Sequence, residues 1–208
     1  MSEARPETRG ERKERTRRAL LDAALELSAS STLAGLSLRQ VAKEVGIVPS
    51  AFYRHFDSFD DLGLALVDES FVTLRAMLRA VRRGEVADMA DHSVDVLVEH
   101  VHAHREHFAF IARERVAGPP VVREAIRHEV ELCERELATD LVRLPAVADW
   151  PTDDLHVLSK LLVTLMVATA EDLVAAARPE QERQAVATAR TRLRMVVVGA
   201  AHWRPPAG

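Results

Sequence analysis

Leu38, Val41, Ala42 and Val45 stand at i, i+3, i+4 and i+7, and the stripe they form stops at Gly46. Side chains at those spacings share one face of an α-helix, whereas a strand, with its period of two, would scatter them over both faces. Ser37 precedes the stripe, where its hydroxyl accepts from the free amides of a first turn. Gly46 follows it, as a residue that tolerates positive φ should. Pro49 then stands where a new helix can begin without losing a needed donor. The segment therefore predicts two short helices, 38 to 45 and 49 to 56, joined by the turn Gly46-Ile47-Val48. Arg39, Gln40, Lys43 and Glu44 face outward from the first of them.

The rest of the chain has the same character. No strand-like alternation persists, glycines are few, and Ala, Leu, Arg and Glu dominate, so the fold class is all-α with about nine helices. After a flexible head to about residue 10, a helix is expected over 12 to 28, with Ala19, Leu20, Ala23, Ala24 and Leu27 as its apolar stripe. A long helix is expected from Ser58 to Gly84, a rod of ~40 Å at ~1.5 Å per residue. Five more follow at 87 to 104, 107 to 117, 120 to 143, 152 to 178 and 180 to 202. No apolar run reaches the roughly 18 residues of a membrane span, and the charged start is unlike a signal peptide, so a soluble, cytoplasmic protein without membrane association is expected. A single cysteine, Cys133, excludes an intrachain disulfide.

Charge separates the two ends. Residues 1 to 56 hold ten Lys or Arg against seven Asp or Glu, while the formal net charge of the whole chain is −4. A basic first part joined to an acidic remainder suggests that the first part meets a polyanion. Two short helices across a glycine turn, completed by a helix before them, form the plan of a helix-turn-helix whose last helix enters the DNA major groove. Ile47 and Phe52 can pack back on Leu38, Val41 and Val45, leaving Ser50, Ala51, Tyr53, Arg54 and His55 towards DNA. Small residues at 50 and 51 allow close approach to base edges, while Tyr53 and His55 suit phosphates.

SLRQVAKEVGIVPSAFYRHFDSFDDL resembles the DNA-binding domain of the TetR family of bacterial transcriptional repressors, with Ala42, Gly46, Phe52, Tyr53, His55 and Phe56 on the family's pattern. The resemblance implies a DNA-binding domain over 12 to 75, with its recognition motif at 37 to 56, and a ligand-binding and dimerisation domain over 76 to 208. It implies a homodimer on a palindromic, double-stranded operator, with Arg39, Ser50, Ala51, Tyr53, Arg54 and His55 touching DNA. Phe59 departs from the pattern, since many relatives carry lysine there, which puts one phosphate contact in question. The basic arm, with Arg12, Arg15 and Arg17 and also Arg9, Lys13 and Arg18, can supply a replacement; its plainer reading is a solvated tail. Together with LGLALVDES, residues 62 to 70, and IARER, the chain also resembles the subgroup that controls unsaturated fatty-acid synthesis and senses long-chain acyl-CoA or acyl carrier protein thioesters.

The C-terminal apolar stretches have two competing uses. The last two helices are the expected dimer interface, as a four-helix bundle with their copies. Leu74, Met77, Leu78, Leu97, Val101, Phe108, Ile111, Leu162 and Met166 are the candidate lining of a cavity for an apolar effector, with plain core as the alternative for each. If the effector is an acyl-CoA, Arg75, Arg79, Arg113, Arg115 and Arg123 are the cations available to its phosphates. A hydrophobic drug or another metabolite is the rival effector, and a helical dimerisation scaffold is the rival from another class.

His100 and His104 have the i, i+4 spacing of a metal clasp, yet no thiol or carboxylate completes it, so no metal site and no cofactor are expected. No phosphate loop or nucleophile elbow is present, and no enzyme is expected. The expected mechanism is a population shift, in which the effector moves the long fourth helix and so changes the spacing of the paired third helices.

Overall fold

The computed structural model describes residues 8–81 and 89–204, without the side chains of 78–81 and 89. Gly84, the expected end of the long helix, the head before Thr8, and the side chains of Leu78 and Arg79 lie outside the described residues. Among the described residues the protein is all-helical, with nine α-helices: α1 Arg9–Leu27, α2 Leu38–Val45, α3 Pro49–Phe52, α4 Phe59–Val81, α5 Met89–Ala103, α6 Arg105–Ala117, α7 Pro120–Leu141, α8 Thr152–Ala175 and α9 Pro179–His202.

The helices follow the periodicity-based expectation to within about three residues at most ends, with α8 ending at Ala175 and not at 178 and α6 starting at Arg105; two differences, in α1 and α3, bear on the site. Helix α1 starts at Arg9 because Thr8 and Glu11 form a capping box, in which Thr8 Oγ1 accepts from the Glu11 amide at 3.2 Å and Glu11 accepts from the Thr8 amide at 2.7 Å. Arg12, Arg15 and Arg17 therefore sit on the first turns of a helix and not on a flexible arm. Helix α3 is four residues long, not eight. The chain then tightens into i to i+3 turns, with the amides of Arg54 and His55 donating to Ala51 and Phe52 at 3.2 and 2.9 Å.

The turn chemistry is otherwise as the residue types require. Ser37 Oγ accepts from the Gln40 amide at 3.3 Å while Gln40 Oε1 accepts from the Ser37 amide at 2.8 Å, capping α2 from both sides. Gly46 closes α2 in the left-handed region at φ 75°, and Pro49 opens α3. Ser58 Oγ accepts from the Asp61 amide at 3.0 Å ahead of α4.

The chain forms two compact units. One comprises the chain up to Ser70 together with Phe110–Ala125; the other comprises Phe71–Ala109 and the chain from Ile126. In the first, α1 packs on α2 and α2 on α3, around a core that includes Leu20, Ala24, Leu33, Val41, Ala42, Phe52, Phe56, Leu62 and Leu66. Residues 110–125 belong here because Val122 is wholly buried among them. Gly63 of α4 marks the closeness: a Cβ there would stand 2.9 Å from Val122 Cγ2 and 3.0 Å from Leu33 Cδ1. A boundary drawn at residue 75 cannot capture that return of the chain. In the second unit α8 packs along α9, and α5 packs on both.

Candidate nucleic-acid interface

The sequence from Phe52 to Phe59 divides by what each side chain can bury. Phe52 is wholly buried and Phe56 nearly so, with ring centroids 5.5 Å apart, and Phe59 stands 6.4 Å from Phe52. Phe59, at the position where many relatives carry lysine, thus extends an aromatic cluster that ties the start of α4 to α3. Two buried rings and a half-buried third in this short segment fix the direction of α3 more firmly than a four-residue helix could alone. Consequently Ser50, Tyr53 and Arg54 are exposed, and Ala51 and His55 half-exposed, on the outer side. Tyr53 keeps 60% of its surface while its ring meets the edge of Phe52 at 5.7 Å. Arg39 on α2 is exposed as well.

Helix α1 brings further cations to this face. The Arg17 guanidinium lies 4.9 Å from the centre of the Phe56 ring, a cation–π contact that holds it beside the end of α3. Burial pushes the His55 imidazole below its ordinary value, and Lys13, Arg54 and Arg17 push it further the same way, against the single opposing pull of Glu14. His55 Nδ1 is shielded from solvent and has no hydrogen-bond partner. Lys13, Arg17, Arg54 and His55 therefore form one electropositive cluster. Lys13 belongs with the candidate contacts, and its i, i+4 relation to Arg17 was the available signal. Arg18, by contrast, is occupied by Asp22 at 2.9 Å and Glu69 at 2.6 Å.

Two further charged residues hold the loop that leads into this motif. Arg113 donates to the carbonyls of Ala29 at 2.7 Å and Ser31 at 3.3 Å. Glu114, wholly buried, accepts from the Leu33 amide at 3.0 Å through Oε1, while Oε2 has no partner. Burial raises the Glu114 pKa above the ordinary 4.5, against the Leu33 hydrogen bond and the Arg113 charge.

The candidate effector residues do not lie together as one set. Met77, Leu97, Val101 and Phe108 are buried in one cluster with Leu173, and Leu74 and Met166 pack against it. Ile111 belongs to the other compact unit, and Leu162 packs against two different clusters, around Leu158 and around Leu193. The cations expected at a cavity mouth have protein partners: Arg75 pairs with Glu129, Arg113 holds the loop carbonyls, and Arg123 donates to the Gly118 carbonyl at 2.9 Å. An open apolar groove of about 470 Å³ lies instead along α8 and α9, with Val157, Leu161, Met195 and Trp203 among its lining. No group of three or more His, Cys, Asp or Glu side chains among the described residues could hold a metal ion. No described helix is long and apolar enough to cross a membrane.

Comparison with known proteins gives this geometry its family. Residues 20–66 match the family model for bacterial regulatory proteins of the tetR family, and residues 86–196 match that for the tetracyclin repressor-like C-terminal domain. The chain belongs to the TetR family, as a ligand-responsive, DNA-binding transcriptional regulator.

Solved structures share the fold. A TetR-family transcriptional regulator from Streptomyces coelicolor superposes with a TM-score of 0.68 at 16% identity, over 92% of this chain and 84% of that one. The fatty acid degradation regulator FadR from Bacillus halodurans does so at 0.69 and 11%, over 94% and 98%. The multidrug binding protein EbrR, complexed with imidazole, gives 0.61 and 21%, over 85% and 93%.

Proposed function

We propose that the protein is a homodimeric repressor that reads a palindromic operator through α3 and answers an apolar effector held in its C-terminal part. The observation that carries the reading is the split within Phe52–Phe56: the two phenylalanines are buried, while Tyr53 and Arg54 stand exposed beside Lys13 and Arg17 of α1. Ser50 and Ala51 approach the base edges; Arg39, Tyr53, Arg54, His55 and the α1 residues Arg12, Arg15 and Arg17 meet phosphates.

Dimerisation is assigned to α8 and α9, whose outer faces expose Val157 at 67%, Met195 at 69% and Val198 at 59%. A second copy would remove that surface from water. The effector is assigned to the cluster around Met77, Leu97, Val101 and Phe108, where Met77 and Met166 can repack around an inserted chain. Because these residues pack on one another, an effector must part them, and it shifts DNA affinity only by favouring the parted state.

A long-chain acyl-CoA is the effector to test first, on the resemblance of residues 62 to 70; Arg75, in the same unit as the cluster, would then exchange Glu129 for one of its phosphates. Footprinting on an operator selected from random duplexes tests the DNA reading: protection of a palindrome supports it, and no reproducible protection contradicts it. Native mass spectrometry of the freshly purified protein tests the effector. A bound acyl-CoA supports the lipid reading, and an operator complex unmoved by every acyl-CoA tried removes it.

A further inference from the structure

The cluster of Lys13, Arg17, Arg54 and His55 has an arrangement that general attraction to DNA does not require. Two elements build it: α1 supplies Lys13 and Arg17, and the turn after α3 supplies Arg54 and His55. Arg17 is held over the Phe56 ring, which restricts it to this side of α1. Among the described residues, Glu14 is the acidic group acting on the imidazole. His55 is fixed through its backbone, its amide donating to Phe52 at 2.9 Å, and its Nδ1 is shielded yet unpaired. Partial burial and three neighbouring cations, against one opposing carboxylate, favour the neutral form of this ring with its unpaired nitrogen.

We propose that this cluster is a proton-linked DNA-backbone site, in which a phosphate supplies the missing negative charge and His55 binds a proton as the phosphate arrives. The inference rests on the DNA-binding reading above and adds a property that reading does not contain.

The direction follows from charge. In the free protein Lys13, Arg17 and Arg54 oppose protonation of His55. A phosphate among them offsets that repulsion and favours the imidazolium, so the bound protein holds its proton to higher pH than the free protein does. Binding then takes up protons, and affinity is greatest at low pH and is lost as pH rises through the bound-state pKa. Each unit of difference between bound and free pKa changes affinity by about tenfold. A DNA phosphate needs no particular base sequence, so the effect belongs to non-specific duplex as well as to operator.

The test is the dissociation constant of the full-length protein for one fixed duplex, measured at constant ionic strength from about pH 5.5 to about pH 8, for the wild type, His55→Gln and Lys13→Ala. The wild type should weaken severalfold as pH rises, and His55→Gln should lose most of that slope. Lys13→Ala, which relieves one cation acting on the ring in both the free and the bound state, should move the pH range of the slope upward. Histidine ring NMR of the wild type gives a readout that does not depend on the variants: the signal lost in His55→Gln, or in His55→Asn if Gln does not fold, should titrate at higher pH once duplex is added. Equal slopes in the wild type and the His55 variant, or a ring whose titration does not move with DNA, overturn the proposal and leave the regulator reading intact. Failure to bind any duplex overturns both.

Discussion

Glu114 shows how much a single residue can add to a small domain and what it costs. Its carboxylate accepts from the Leu33 amide across 81 residues of sequence, and burial holds its pKa above 4.5. A raised carboxyl pKa means that the folded state keeps the proton where the unfolded chain has released it. The stability contributed by Glu114 is therefore fully present below about pH 4.5 and is lost as pH rises through its folded pKa. Glu114→Gln keeps an acceptor for Leu33 and removes the charge. The stability of the wild type relative to Glu114→Gln should fall as pH rises above about 4.5, as melting temperatures of the two proteins would report; a pH-independent gap would contradict the assignment. Contacts of this kind were illegible in the sequence. Arg18 reads as one more cation in a basic run until Glu69 is seen 2.6 Å away, and Arg113 reads as a candidate phosphate ligand until the Ala29 carbonyl is found beneath it. Spacing arguments see partners three or four residues apart and are blind to those brought together only by the fold.

Among the elements, those whose limits are set by local chemistry were legible, and those set by packing were not. Ser37, Gly46 and Pro49 determine the ends of α2 and the start of α3 through capping, a positive φ and a missing donor, and the structure places all three in those roles. Phe52 and Phe56 likewise face inward as their spacing requires. The run to Phe56 contains no helix breaker and so reads as helix throughout; the aromatic packing ends the regular helix at Phe52 and leaves tighter turns beyond it. Helix α1 begins three residues before the expected Arg12 because Gly10 reads as part of a flexible head, whereas the Thr8–Glu11 box caps the helix ahead of it. Capping yields a direct prediction at this scale. Ser37→Ala removes the acceptor for the Gln40 amide and should lower stability by about 1 kcal/mol in a denaturant titration. An unchanged midpoint and slope would mean that the reciprocal bond from Gln40 suffices alone.

At the scale of the whole molecule, the acidic net charge and the DNA-facing surface belong to different parts of the chain. The two compact units divide near Ser70, yet residues 110–125 return to the first, so the division of labour is not a division of the sequence into two consecutive blocks. The proposed dimer rests on the exposed apolar faces of α8 and α9. If that proposal holds, the wild type is a dimer in light scattering and Leu161→Glu with Met195→Glu converts it to monomer, because two charges would be buried in each half of the proposed interface; a wild-type monomer, or a mass unchanged by the double substitution, would contradict it. The central claim, that α3 and the turn after it present Tyr53 and Arg54 to DNA while Phe52 and Phe56 hold the segment in place, has one direct measurement. Operator affinity is compared at fixed salt for the wild type and for Tyr53→Phe with Arg54→Ala. The two side chains are exposed, so the variant should melt with the wild type while binding at least about tenfold more weakly. An affinity equal to that of the wild type, in a protein of unchanged stability, would contradict the placement of α3 at the DNA.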